Sequence, residues 1–83
     1  MQLVYFARVR ELVGCEREEI ALPPAVQTVA DLIAHLVASG ENYAQAFAEP
    51  DTIRVAVDQQ HSETNAALAT AREVAFFPPM TGG

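Results

Sequence analysis

Polar and apolar positions fall into short blocks whose period changes along the chain. "QLVYF" (2–6) is β-branched and aromatic, which predicts a strand. Its apolar residues fill both alternation sets, Leu3 and Tyr5 on one face and Val4 and Phe6 on the other. Such a strand is either central in a sheet or in contact with a partner. In "ARVRELVG" (7–14) the period switches. Val9, Leu12 and Val13 recur at helical spacing with Gly14 as a stop, and a short helix is expected. "EREEIAL" (16–22) reads as a second strand, with Ile20 and Leu22 inward, the acids mostly on a solvated surface, and Pro23 and Pro24 ending it. The strongest signal follows. Thr28 and Asp31 make a T-x-x-D capping box, and Val29, Leu32, Ile33, Leu36 and Val37 follow at helical spacing until Gly40. This predicts one amphipathic helix with a single buried stripe. "NYAQAFAEP" (42–50) holds a further helical turn, pairing Tyr43 with Phe47 and ending at Pro50. "IRVAV" (53–57) alternates cleanly, with Ile53, Val55 and Val57 inward and Arg54 outward. "DQQHSETN" is turn-like or a short edge strand, and "EVAFF" (73–77) is the last strand.

The order predicts an α+β domain over residues 1–77: a mixed sheet of four to five strands with one main helix packed on one face. An extended tail follows over residues 78–83. One helix cannot cover both faces of such a sheet, so the other face stays open or meets another molecule. Adjacent strand residues point to opposite faces, so at least one of Phe76 and Phe77 faces away from the helix. That ring is either half-shielded by loops or, with Phe6, forms an apolar patch suited to a partner.

Composition narrows the partners. The chain has 83 residues, is 51% hydrophobic and carries a net charge of −6, eleven acids against five bases. All five bases are Arg. This balance argues against nucleic acid, which needs clustered cations, and suits partners with basic surfaces. The single cysteine, Cys15, has no internal partner for a disulfide, and with no secretory signal in view a cytoplasmic setting is expected. No apolar run is long enough to span a membrane, since Asp31 and His35 break the richest window.

Catalytic constellations are missing from the domain. His35 lies on the polar face of the main helix and His61 in a turn, neither at metal-ligand spacing. Ser62 beside His61 is no triad. Cys15 follows a helix C-terminus, whose dipole disfavours a thiolate. The remaining unusual feature is the end, "EVAFFPPMTGG" (73–83), where two of the four glycines occupy the last two positions. Two residues without Cβ can enter a narrow channel and adopt backbone angles closed to others. Pro78 and Pro79 stiffen the root of the tail and block further strand pairing. A terminal carboxylate is ionised at neutral pH and is a poor electrophile until activated, for example as an acyl-adenylate.

"FARVRELVG" near the start and "EVAFFPPMTGG" at the end resemble the small subunits of molybdopterin synthase, a resemblance that spans the whole chain. It implies a ubiquitin-like β-grasp fold with the first and last strands side by side. It also implies that a ubiquitin-activating-like adenylyltransferase uses ATP to adenylate Gly83. The acyl group then becomes a thiocarboxylate whose sulfur goes to a cyclic pyranopterin precursor, and two transfers build the molybdopterin dithiolene. Gly82 is the necessary neighbour of Gly83. Phe6, Phe77, Pro78, Pro79, Met80 and Thr81 would meet the large subunit, in a heterotetramer of two small and two large subunits. The chain itself would hold no tightly bound cofactor. It departs from the family in "TAREV", where a Gly-Asp type turn is common before the last strand, and in Met80, where a smaller aliphatic residue is common. Two other functions fit a Gly-Gly end: a sulfur carrier for another pathway, such as thiamine synthesis, and a ubiquitin-like protein modifier.

Overall fold

Strand alternation and helical period sort the side chains into one core. The computed structural model describes residues 1–79. Its strands are β1 (Gln2–Tyr5), β2 (Arg17–Glu19), β3 (Arg54–Val57), β4 (Gln60–Ser62) and β5 (Glu73–Phe77). Its helices are α1 (Ala7–Val13), α2 (Val29–Ser39) and α3 (Glu41–Ala46), with a 3-10 turn over Pro50–Thr52. The five strands lie in the order β2-β1-β5-β3-β4. β1 and β5 run parallel at the centre, and every other pairing is antiparallel. The predicted mixed sheet, with its first and last strands side by side, is therefore the observed one.

Leu3, Tyr5, Val55, Val74 and Phe76 point to the inner face and join Val9, Val13, Val29, Leu32, Leu36, Phe47 and Leu68 in one cluster. Tyr5, Phe76, Leu3, Leu32, Val29 and Val74 are the largest fully buried side chains. Each contributes roughly 1.5–3 kcal/mol through removal from water. The rings interlock: Tyr5 stacks on Phe76 with centroids 6.0 Å apart, and Phe47 meets Phe76 edge-on at 5.0 Å.

α2 begins where its capping box predicts. Asp31 N–H donates to Thr28 Oγ1 at 3.2 Å, and the Asp31 carboxylate accepts from Thr28 N at 3.2 Å and Gln27 N at 3.0 Å. Those two backbone donors, Gln27 first, hold the Asp31 carboxyl below the ordinary range. The buried stripe is narrower than its spacing suggested, for Val37 is 38% exposed. Gly40 ends α2 in an extended conformation and at once caps α3, so α3 turns back without a left-handed residue. Pro50 does more than end a helix, since it opens the 3-10 turn.

The second strand is shorter than "EREEIAL", and one of its acids is not on a solvated surface. Glu18 stands in register with inward-facing Leu3. Its Oε2 accepts from the Tyr5 hydroxyl at 2.7 Å and the Tyr43 hydroxyl at 2.5 Å. Parity already required this, because Ile20 and Leu22 inward place Glu18 inward too. The three side chains clamp β2 to β1 and α3. Burial first and Glu18 second push the Tyr5 hydroxyl far above the phenol range, and the same causes push Tyr43 up to about 12.

Candidate functional site

Parity along β5 decides which phenylalanine is available. Val74 and Phe76 are fully buried on the inner face, so Glu73, Ala75 and Phe77 point outward. Phe76 is the core ring and Phe77 the outer one. No helix among the described residues packs on this outer face. It carries Val4 and Ala75, in register on the central pair, with Ala56 beside them on β3.

Phe6 reaches the face by a different route. Its N–H donates to the Phe76 carbonyl at 3.0 Å, which extends the parallel ladder one residue past β1. The chain then turns sharply, with Ala7 at a φ of 50°. A left-handed alanine costs about 1–2 kcal/mol relative to the right-handed form. The turn leaves Phe6 49% exposed, the most exposed large apolar side chain among the described residues. Its ring meets Phe77 edge-on at 6.4 Å. On the other side of Phe77, His61 lies edge-on at 6.2 Å. The outer face thus carries a row of three rings from the start of α1, from β5 and from β4.

The sequence placed His61 in a turn. It lies instead on β4, in register with Ala56, because Asp58 and Gln59 alone form the loop between β3 and β4. Both have positive φ, 50° and 68°, as a tight two-residue hairpin requires. The signal was present in the spacing, since counting alternation back across a two-residue loop puts His61 opposite Ala56. The missing glycine hid it. Asp58 also accounts for the unusual "TAREV" turn. Its Oδ1 accepts from Arg72 N at 2.8 Å and Glu73 N at 3.0 Å, which fixes the entry to β5 without a Gly-Asp pair.

The chain leaves β5 through Pro78 and Pro79, both half-buried. They form one wall of a depression of about 230 Å³ whose floor includes Val9, Leu12, Ala46 and Ile53. Phe6, Phe77, Pro78 and Pro79 are therefore gathered at one end of the molecule. Met80, Thr81, Gly82 and Gly83 lie outside the described residues.

The cysteine of the domain is not activated as a nucleophile. Cys15 is half-buried, and burial first and the Glu18 carboxylate second push its thiol up, away from the thiolate. No described cluster of His, Cys, Asp or Glu is arranged to hold a metal ion. No helix of the described chain is long and apolar enough to cross a membrane.

A mixed sheet with parallel central strands and one face packed on α2 defines a ubiquitin-like β-grasp protein. The ThiS family matches residues 3–83, and the chain belongs to that family. It is 39% identical over 83 residues to the molybdopterin synthase sulfur carrier subunit of Escherichia coli (strain K12), and 34% identical to that of Haemophilus influenzae. Each match covers all of this chain and 99% of the relative. Among solved structures it resembles a putative molybdopterin converting factor, subunit 1, from Pyrococcus furiosus, with a TM-score of 0.74, 30% identity and 95% of both chains covered. It also resembles SAMP1 from Haloferax volcanii, with a TM-score of 0.73, 25% identity, and 100% of this chain and 98% of that one covered.

Proposed function

We propose that the chain is the sulfur carrier subunit of a molybdopterin synthase. The observation that carries this reading is the parallel pairing of β1 with β5. It brings the exit of the chain at Pro78 beside the rings of Phe6 and Phe77, so that one partner surface can hold the face and receive the tail. The full-length similarity to two sulfur carrier subunits supports the same function.

In this reading Gly83 carries the chemistry and Gly82 gives its terminus a slim approach. An adenylyltransferase of the ubiquitin-activating type uses ATP. A carboxylate oxygen of Gly83 attacks phosphorus, pyrophosphate leaves, and an acyl-adenylate forms. Sulfide then attacks the acyl carbon and displaces AMP, leaving a thiocarboxylate. Residues 78–83 span at most about 20 Å when extended, enough to carry that sulfur off the domain and into a pocket of the large subunit. There the sulfur passes to the cyclic pyranopterin precursor, and water restores the carboxylate. Two such transfers complete the dithiolene, in an assembly of two small and two large subunits. Phe6, Phe77, Pro78, Pro79, Met80 and Thr81 form the contact with the large subunit. The domain supplies position and docking, and the setting is the cytoplasm.

Intact-mass analysis tests this directly. The chain is incubated with ATP, a sulfide source and its activating enzyme. The expected product gains the mass of one sulfur in place of one oxygen, at Gly83. A chain that instead appears as adducts on lysines of other proteins is a modifier, and the carrier reading fails.

A further inference from the structure

We infer that the docking face selects a partner whose apolar contact is bordered by carboxylates, read by Arg54 and Arg17. The inference rests on the docking reading above, with the large subunit as the occupant. The net charge of −6 suggests a basic partner, but the charged side chains in register with Phe77 and Val4 on this face are two arginines. Arg54 stands on β3 in register with Phe77, and Arg17 on β2 in register with Val4. Parity places both on the outer face, one on each side of the Val4–Ala75 pair, and both are exposed.

Neither guanidinium is paired with an acid among the described residues. Among the described residues of a chain with eleven acids, the ion pair found joins the Met1 ammonium to Glu19 at 3.1 Å. Arg54 makes one hydrogen bond, from Nη1 to the Asp51 carbonyl at 3.2 Å, so most of its five donors remain available. The acids of this face sit at its margins, Glu19 and Glu73 in the row of Gln2, and Glu63 one residue past β4, where the register runs on to Arg54. Glu19 is held by the terminal ammonium, and Glu73 lies opposite Gln2, at the far end of β5 from Phe77. Asp51 and Glu63 line a shallow depression with Arg54 and His61 at the β4 edge, without closing an ion pair.

A partner that covers Phe6 and Phe77 must also take water from Arg54. Removing water from a guanidinium with no carboxylate opposite it is strongly unfavourable, whereas a planar carboxylate can accept two of its donors at once. The partner therefore brings the acceptors that this chain withholds. Complementary charges of this kind raise the association rate and exclude partners with a basic or wholly apolar rim.

Dissociation constants of the full chain with its large subunit, measured at about 50 mM and about 500 mM salt, test the inference, because screening shortens from above 10 Å to about 4 Å over that range. Arg54→Glu should weaken binding at least roughly tenfold at low salt, Arg54→Gln and Arg17→Glu by less, and the differences should shrink at high salt. Arg72→Glu makes the same charge change beside the start of β5 and should stay within about twofold. An Arg54→Glu variant within about twofold of the parent, or an Arg72→Glu variant weakened equally, would overturn the inference. Phe77→Ala separates it from the reading beneath it. If Phe77→Ala weakens binding while both arginine reversals are silent, the docking face stands and the arginine frame falls. If all are silent, both fall.

Discussion

Phe76 and Phe77 are chemically identical neighbours with opposite duties, and the pleat alone separates them. Phe76 is fully buried between Tyr5 and Phe47, whereas Phe77 is half-buried against Phe6 and His61. Phe76→Ala should leave a core cavity and cost roughly 3–5 kcal/mol in a denaturant melt. Phe77→Ala should cost clearly less stability and weaken large-subunit binding by about 2 kcal/mol or more. A melt in which Phe77 is the costlier deletion contradicts this facing. Cys15 gives a second test at this scale. Its thiol is held protonated by burial and Glu18, and the reactive sulfur of the proposed cycle sits on the terminal carbonyl. Cys15→Ala should leave the rate of sulfur transfer unchanged. A folded variant that no longer transfers sulfur would remove Gly83 from its assigned role. The sequence made the pair Phe76 and Phe77 legible through strand parity. It left Glu18 unread, because a carboxylate on an inward position looks like surface until the two tyrosine hydroxyls that satisfy it are in place.

Between elements, the Tyr5–Glu18–Tyr43 clamp has a pH signature. The Tyr43 hydroxyl is pushed from 10.0 up to about 12 in the folded chain, chiefly by burial and then by Glu18. A group raised in this way favours the fold fully below its unfolded value and ceases to do so as pH rises through its folded value. Stability should therefore decline across pH 10 to 12. Tyr43→Phe should lower stability at neutral pH by about 1–2 kcal/mol, through the lost hydrogen bond, and make that alkaline decline less steep, with the share of Tyr5 remaining. Urea melts at several pH values check both, and a variant with an equally steep decline would place the effect elsewhere. Elements with long periods or explicit caps were readable from sequence, above all α2 with Thr28 and Asp31. The β3–β4 hairpin was not, because Asp58 and Gln59 take the positive φ values that glycine would have announced. The stripe of α2 was overdrawn at Val37 because helical spacing names a face without saying how far the neighbouring elements extend over it.

At the scale of the molecule, the proposed function divides the chain into a packed scaffold and a reactive end. The mixed sheet with one main helix was legible from the order of elements, and the pairing of the first and last strands from the likeness of both ends to one family; the places of β2, β3 and β4 in the sheet were not read. The cationic frame of the docking face was not, since net charge averages over surfaces that a partner never meets together. The central claim is that the terminal residue of the tail is the group that carries sulfur. Deleting Gly83 leaves the described residues 1–79 unchanged in sequence, so the melting temperature and the affinity for the large subunit should barely change. The new terminus falls one residue short, and both adenylation and delivery require the acyl carbon at a fixed position. The most direct measurement is molybdopterin formation by the reconstituted synthase with the full chain and with the chain lacking Gly83. The account predicts a folded, binding and inactive variant; formation at a near-normal rate would show that the tail is not the reactive group.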